Sequence, residues 1–120
     1  MPDVPLAGIT GFTIDGTPYM LVADATWSPN KWKRETLIGL DQVHGFSELP
    51  TAGFMEATLR DADDLVVGDF NDMRSVEVMM TLANGKVVGG SNMWHVQTLE
   101  VKAAEATFVV RFEGLSVDEN

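Results

Sequence analysis

The sequence predicts a mainly β protein, an antiparallel β-sandwich or barrel with one short α-helix and a long inter-strand loop. Apolar residues alternate with polar ones in several segments, and Asp-Gly and Asn-Gly pairs stand between such segments. A chain of 120 residues is long enough for one core and too short for two comfortable ones. We therefore expect residues 1–120 to form a single domain, with an N-terminal arm (residues 1–8), a long loop (28–45) and a C-terminal tail (115–120).

The clearest strands occupy residues 55–59, 75–82 and 107–113, where apolar side chains take every second position. This pattern is typical of an antiparallel strand that packs one face on a core. The core side chains that it predicts are Met55, Ala57, Leu59, Val76, Val78, Met80, Leu82, Phe108, Val110 and Phe112.

Turn chemistry places the connections between the strands. Asp15-Gly16 and Asn84-Gly85 each predict a hairpin, because glycine accepts the positive φ that tight turns require. A third hairpin is expected through residues 103–105, and Pro50 is expected to end the strand that precedes it.

Residues 61–72, DADDLVVGDFND, break the alternation and carry five aspartates. Leu65, Val66 and Phe70 fit one side of a short helix, and the acidic residues at its start suit the helix dipole, although Gly68 is unfavourable inside it. A calcium loop is the alternative, since hard cations prefer carboxylates. Leu65 and Val66 stand where the calcium-loop pattern needs a ligand and a glycine, so the solvated helix start is the favoured interpretation.

The sequence indicates no catalytic or cofactor site. Neither His44 nor His95 stands beside a nucleophile motif or in a metal-binding spacing. Gly89-Gly90 is more typical of a strand bulge or a close backbone contact than of a phosphate loop. The chain has no cysteine and no apolar run that could span a membrane. We therefore expect a soluble, non-enzymatic protein without cofactors, made in the cytoplasm.

Charge is segregated along the chain. The formal net charge is -10, yet the segment KWKRET (31–36) holds three of the eight basic residues. Such acidity argues against ordinary duplex binding, and it fits both simple solubility and a surface that must not adhere to DNA. A basic segment on one copy can meet the acidic residues 61–72 of the next. An interface of that kind grows rings or filaments.

The tryptophans leave a second hypothesis open. Trp94 lies in an alternating stretch and is expected in the core, whereas Trp32 lies among basic residues and is expected to be exposed. An exposed aromatic beside arginine is typical of an interface anchor. The alternative is a small β-sandwich module that binds carbohydrate or another surface ligand, with Trp32 or Trp27 as its stacking platform.

The order of these features resembles the tail tube proteins of Mu-like tailed phages, from Gly11 to Gly114. An Asp-Gly hairpin precedes ATWSPNKWKRETLIGLDQVHGFSELPTAGFMEATL, and the acidic helix, LANGK, NMWHVQ and FVVRFEG follow. The most specific matches are Ser28-Pro29, Lys33-Arg34-Glu35-Thr36 with Gly39, His44-Gly45, and Asn92 with Trp94.

The resemblance implies a structural subunit. Proteins of this family form hexameric rings that stack into a hollow tube, in which strands of all subunits join into one inner β-barrel. DNA passes through the tube from the capsid to the host without specific binding. The implied partners are further copies of the chain, the contractile tail sheath, the baseplate or initiator, and the tail terminator. The implied location is the virion tail, assembled in the host cytoplasm.

The resemblance also assigns roles to segments. The long loop contacts neighbouring subunits or the next ring, and the N-terminal arm helps stacking. On this basis, the residues expected at the assembly interface are Trp32, Lys33, Arg34, Glu35 and Thr36.

The lumen of such a tube is typically acidic. Glu56 and Glu77 are the side chains that we expect to face it, because Arg60 and Arg111 would weaken an acidic lumen unless they are paired. Apolar residues on otherwise polar faces, notably residues 37–40, predict surfaces that become buried only after assembly.

Overall fold

The computed structural model describes residues 8–62 and 64–120, without the side chains of residues 23 and 24. The predicted N-terminal arm lies outside the described residues up to residue 7, and so does Asp63. The described strands are β1 (Ile9–Ile14), β2 (Thr17–Pro18), β3 (Leu21–Ser28), β4 (Trp32–Ile38), β5 (Val43–Pro50), β6 (Gly53–Arg60), β7 (Val76–Leu82), β8 (Val87–Val96), β9 (Val101–Lys102), β10 (Thr107–Gly114) and β11 (Asp118–Glu119).

Nine of these strands form one antiparallel sheet that curls into a half-barrel. The strand order is β2-β1-β7-β8-β10-β6-β3, with β11 paired to β8 and β9 paired to β10. The strands β4 and β5 pair only with each other in the described residues. The prediction of a mainly β, antiparallel fold is confirmed.

The core lies on the inner face of the curled sheet. Along β6 and β10 the register is continuous from Thr107↔Arg60 to Gly114↔Gly53. Every second residue of each strand is buried, as the alternation predicts, because successive side chains of a strand point to opposite faces. The buried apolar set is Phe12, Ile14, Met55, Ala57, Leu59, Phe70, Val76, Val78, Met80, Val88, Met93, Phe108, Val110, Phe112 and Val117.

The acidic segment forms a 3₁₀ helix (Val67–Asp72) in place of the expected α-helix. The helix is short, and Gly68 in its first turn disfavours α-helical continuation. Phe70 anchors it to the core, with its ring centroid 5.5 Å from that of Tyr19 and 5.4 Å from that of Phe108. The packing of one aromatic side chain therefore holds this segment on the sheet.

A bulge in β8 overturns the prediction that Trp94 lies in the core. Val76 pairs with Met93 and Val78 pairs with Gly90, so β8 carries one more residue than β7 between these pairs. Asn92 occupies the extra step with a φ of 54°, and Ser75 Oγ donates to its Oδ1 at 2.9 Å. Successive side chains of a strand point to opposite faces, so one extra residue changes which positions beyond the bulge point toward the core. Met93 is consequently buried and Trp94 is 37 % exposed.

The predicted Asp-Gly turn joins β1 and β2. Asp15 and Gly16 have φ values of 50° and 83°, the two positive values of a type I′ hairpin. Asp15 also accepts a hydrogen bond from the backbone N–H of Glu77 at 2.8 Å, and its own N–H donates to the Glu77 carbonyl at 2.7 Å. The turn is thereby attached to β7.

Much of the segment expected as a long loop, residues 28–45, belongs to a β-hairpin that β4 and β5 form over residues 32–50. Seven cross-strand pairs run from Trp32↔Pro50 to Ile38↔Val43, with one register shift near the turn. The alternation was not decisive here because both faces of the hairpin mix charged and apolar residues. We call this element the arm hairpin.

The C-terminal tail, residues 115–120, docks on the sheet. Asp118 and Glu119 pair with Gly89 and Val88 of β8, and Val117 is 3 % exposed. Gly53 lies beside Val117, where an added Cβ would approach the valine Cγ2 to 2.9 Å. A substitution at Gly53 would therefore displace the tail.

Two leucine-to-alanine changes compare how much the nine-stranded sheet, called the main sheet below, and the arm hairpin contribute to the stability of the subunit. Leu59 is fully buried and Leu49 is 58 % exposed. We expect Leu59→Ala to lower the free energy of unfolding of the subunit by about 2–5 kcal/mol. Leu49→Ala, the matched control, should change it by about 0.5 kcal/mol or less. Urea unfolding of both variants tests this, and equal losses would contradict the assignment of the core.

Candidate assembly interface

The arm hairpin is exposed on both of its faces. All seven residues of β4 are exposed, and in β5 only Gly45 and Ser47 are partly covered. An isolated two-stranded hairpin is marginally stable in water at best. The described residues of its own chain therefore leave the arm hairpin marginally stable.

The five residues predicted for the assembly interface all lie in β4 and alternate between its faces. Trp32, Arg34 and Thr36 share one face, and Lys33 and Glu35 share the other. A single flat partner surface can contact only one of these sets. If all five residues make contacts, the arm hairpin must lie between two surfaces.

Part of the positive charge of β4 is paired inside the arm hairpin. Arg34 Nε donates to Glu48 Oε1 across the strands at 2.9 Å, and the guanidinium carbon lies 5.9 Å from the centroid of the Phe46 ring. Lys33 Nζ lies 3.9 Å from Glu35 Oε1. Exposed pairs of this kind contribute about 0.2–1 kcal/mol each, so they define the hairpin register more than they stabilise it.

Exposed apolar side chains are the feature of the arm hairpin that the sequence identified only in part. The sequence indicates the apolar residues 37–40 as a surface buried on assembly, but it gives no such indication for the apolar side chains of β5. Their exposure follows from the pairing of β5 with β4, which places Phe46 opposite Thr36 and Leu49 opposite Lys33. The exposed apolar side chains are Trp32, Leu37, Ile38, Leu40, Val43, Phe46 and Leu49.

The turn of the arm hairpin has a defined geometry. The Gly39 N–H donates to the Gln42 carbonyl at 2.8 Å, and His44 Nε2 lies 2.9 Å from Asp41 Oδ1. The hydrogen bond from His44 lowers the pKa of the Asp41 carboxyl. Glycine at position 39 leaves room for the imidazole, because a Cβ there would overlap the His44 ring in its present position. These contacts restrict the backbone of the turn that carries the exposed Leu40.

The two residues predicted for the lumen lie on the outer face of the sheet but are not neighbours. Glu56 is on β6 and Glu77 is on β7, with β8 and β10 between these strands. The structure thus places both carboxylates on the face opposite the core and does not bring them together.

Arg111 is paired with carboxylates on this outer face. Its Nη1 lies 3.4 Å from Glu56 Oε2, and its Nε donates to Glu113 Oε2 at 3.1 Å. Its guanidinium carbon lies 3.8 Å from the centroid of the Phe54 ring. Two carboxylates surround one guanidinium, so the cluster retains a net negative charge. The condition that Arg111 be paired is met, and no comparable carboxylate ion pair involves Arg60 in the described residues.

His95 is the polar side chain whose buried atom has no partner in the described residues. Its Nε2 is inaccessible to solvent and accepts no hydrogen bond, and its ring meets the Phe112 ring edge-on at 5.5 Å. Burial lowers the pKa of His95 below the usual 6.5, because the charged imidazolium loses hydration there. The free energy of unfolding should therefore depend on pH through the protonation of His95.

The comparison with protein families favours the structural subunit over the binding module. Residues 4–119 match the sequence model of the family described as phage tail tube protein. The chain belongs to the phage tail tube protein family. This confirms the resemblance drawn from the sequence at the level of the family, and the Mu-like subgroup remains a prediction. No curated protein matches the chain. As a tail tube protein it is a component of the virion tail and assembles with other tail proteins.

The described residues hold neither a metal-binding cluster nor a helix that spans a membrane. In residues 8–62 and 64–120 of this tail tube protein, no group of three or more His, Cys, Asp or Glu side chains is placed to hold a metal ion. None of the helices in the same residues is long and apolar enough to cross a membrane.

Hydrogen exchange tests the marginal stability of the arm hairpin. In the unassembled subunit, we expect the amides of β4 and β5 to exchange through local opening with a free energy near the low end of the native range. The amides of β6 and β10 should require opening with a free energy close to that of global unfolding, because their ladder is flanked by core on one face. Equal protection of the two regions, measured by mass spectrometry or NMR, would contradict this account.

The stability of the subunit should fall on acidification through His95. The unfolded chain binds a proton at His95 near pH 6.5, whereas the folded chain resists protonation because its pKa is lower. The free energy of unfolding should decrease as the pH falls from about 6.5 through the folded-state pKa, and the contribution of His95 should then level off. Urea titrations of the wild type and His95→Gln test this. The variant should lose the His95 part of the slope, and the exposed control His44→Gln should retain it.

Proposed function

We propose that the chain is the non-enzymatic subunit of a phage tail tube and assembles as hexameric rings that stack around a hollow channel for DNA. The observation that carries the proposal is the arm hairpin, whose two faces are exposed and carry apolar side chains. Such an element is expected in a chain whose folded state is completed by its neighbours.

The form of the arm hairpin favours a head-to-tail interface. A projecting arm on one copy needs a different, receiving surface on the next, so the contact is heterologous and generates rings or filaments rather than closed dimers. Trp32, Arg34 and Thr36 would contact one neighbouring surface, and Lys33 and Glu35 would contact another. The arm hairpin would then lie between two subunits, within one ring or between successive rings.

The ends of the nine-stranded sheet support closure of a barrel between subunits. The strand order ends at β2 and at β3, and each end leaves one backbone edge unpaired within the described residues. Unpaired edges are normally a hazard, and pairing across subunits removes it. The nine-stranded sheets of neighbouring subunits would thus join edge to edge into one inner β-barrel, with the face opposite the core turned toward the channel.

The outer face of the sheet suits a channel through which DNA passes without binding. Glu56 and Glu77 are the carboxylates that we assign to the lumen. The pairing of Arg111 with Glu56 and Glu113 limits its attraction for phosphate. The net charge of -10 on each subunit adds repulsion of the nucleic acid.

The remaining assignments follow from the family and the sequence resemblance. The partners of the tube would be the tail sheath of a contractile, Mu-like tail, the baseplate or initiator, and the tail terminator. Residues 1–8 would help stacking, and the subunits would be made and assembled in the host cytoplasm.

Electron microscopy tests the proposal directly. Negative staining of the purified protein at rising concentration, with and without tail-initiation components, should show hollow rings or tubes of uniform width. A monodisperse monomer even with the initiator present would contradict tube formation. If Trp32→Ala also abolished binding of a carbohydrate, the binding-module hypothesis would replace it.

Arg34 variants then test the role of the arm hairpin. Arg34→Glu should abolish polymers and leave a folded monomer. The control is the charge swap Arg34→Glu with Glu48→Arg, which restores the pair across the hairpin. Loss of assembly in both variants would show that Arg34 contacts a neighbour. Rescue by the swap would limit Arg34 to a role within the hairpin, and normal assembly of Arg34→Glu would exclude it from the interface.

A further inference from the structure

An open apolar crevice lies at the foot of the arm hairpin, where the hairpin meets the main sheet. Its volume is about 380 Å³, within the range of ligand pockets in proteins. The side chains that matter for its chemistry are Trp32 and Pro50 from the arm hairpin, Ala52 from the connection to β6, Trp94 from β8, Leu115 from the start of the C-terminal tail, and Lys31 at the margin.

The crevice is unfilled in the subunit. Leu115 is 84 % exposed and Trp94 is 37 % exposed, although both are large apolar residues. Trp94 faces outward because of the bulge in β8. The bulge therefore places the indole ring where it lines the crevice. Exposed apolar concavities of this kind are typical of binding surfaces.

The tip of the arm hairpin is complementary to this crevice. Leu40 is fully exposed at the apex, and Ile38 and Val43 beside it are also exposed. The hydrogen bond across the turn and the contact between Asp41 and His44 hold the backbone that carries Leu40. These local contacts reduce the conformational entropy that the turn itself would lose on insertion.

Charge is complementary as well. Asp41 follows Leu40, and its carboxylate is 71 % exposed. Lys31 borders the crevice and makes no ion pair within the described residues. With Leu40 in the crevice, the carboxylate and the ammonium group would meet at its margin.

The tip cannot reach the crevice of its own chain. The seven residues of β4 separate the two, and a strand advances about 3.3 Å per residue, so the separation is roughly 20 Å. The occupant must therefore come from another molecule.

We infer that the tip of the arm hairpin of one copy inserts Leu40 into the foot crevice of the next copy, with Asp41 beside Lys31. The inference rests on the proposed self-assembly and names the two surfaces that meet. Because tip and crevice are different surfaces, each subunit gives one contact and receives one, and the contact propagates.

Cysteine cross-linking tests the contact, since the chain has no cysteine of its own. Full-length Leu40→Cys/Leu115→Cys should give a ladder of disulfide-linked oligomers when assembled samples are oxidised. A disulfide forms only where Cβ atoms approach to about 3.5–4.5 Å. The control is Leu40→Cys/Met20→Cys. Met20 is also exposed, and it lies at the opposite end of β6 from the crevice.

A second pair of variants does not depend on disulfide geometry. Leu40→Asp should abolish assembly, because it places a charge in the apolar crevice. Gln42→Asp adds the same charge two residues away in the turn and should still assemble. Circular dichroism should show that both monomers are folded.

The outcomes separate this inference from the tube itself. Tubes together with the Leu40–Leu115 ladder, absent from the control pair, would support it. Tubes without the ladder, together with normal assembly of Leu40→Asp, would overturn the inference and leave the proposed function intact. A ladder without rings or tubes would retain the contact and overturn the tube. Absence of both would overturn both.

Discussion

The antiparallel ladder between β6 and β10 is the interaction on which the rest of the structure depends. Its register is continuous over eight residue pairs, from Thr107↔Arg60 to Gly114↔Gly53. The inward face supplies the centre of the core, and the outward face carries the cluster around Arg111. A slip of one residue would reverse both faces, because the side-chain period of a strand is two. The packed interior and the charged exterior therefore follow from the same register.

The arm hairpin is separate from this ladder because its sequence offers no face to the core. Each of its faces combines charged and apolar residues, so burial of either face on the main sheet would place charges in an apolar interior. The hairpin remains outside, and its own ladder and a few exposed ion pairs are too weak to fix it. On the proposed function, assembly thus depends on the part of the chain that departs from the simple alternation of the nine-stranded sheet.

Local patterns in the sequence are sufficient to predict the main strands of the nine-stranded sheet. β6, β7 and β10 alternate, and Asp15-Gly16 marks a real hairpin. The errors arose where contacts between distant residues decide the outcome. The bulge at Asn92 depends on pairing with β7 and reverses Trp94, and the arm hairpin depends on the pairing of two strands that each lack a clear face. For the same reason, the sequence predicts interface residues in β4 but does not indicate the exposed Phe46 and Leu49, or the pairing of Arg111 with Glu56.

The exposed arm hairpin must not associate before assembly begins, and the net charge of the chain helps to prevent this. Exposed apolar side chains on a marginal hairpin would promote aggregation of free subunits, and the net charge of -10 opposes this by mutual repulsion. On the proposed function, the first contacts must overcome this repulsion and also fix the hairpin, so nucleation is costly. Later subunits meet arms and receiving surfaces that are already ordered. Growth is then easier than initiation, which is the condition under which a separate initiator can determine where a tube begins.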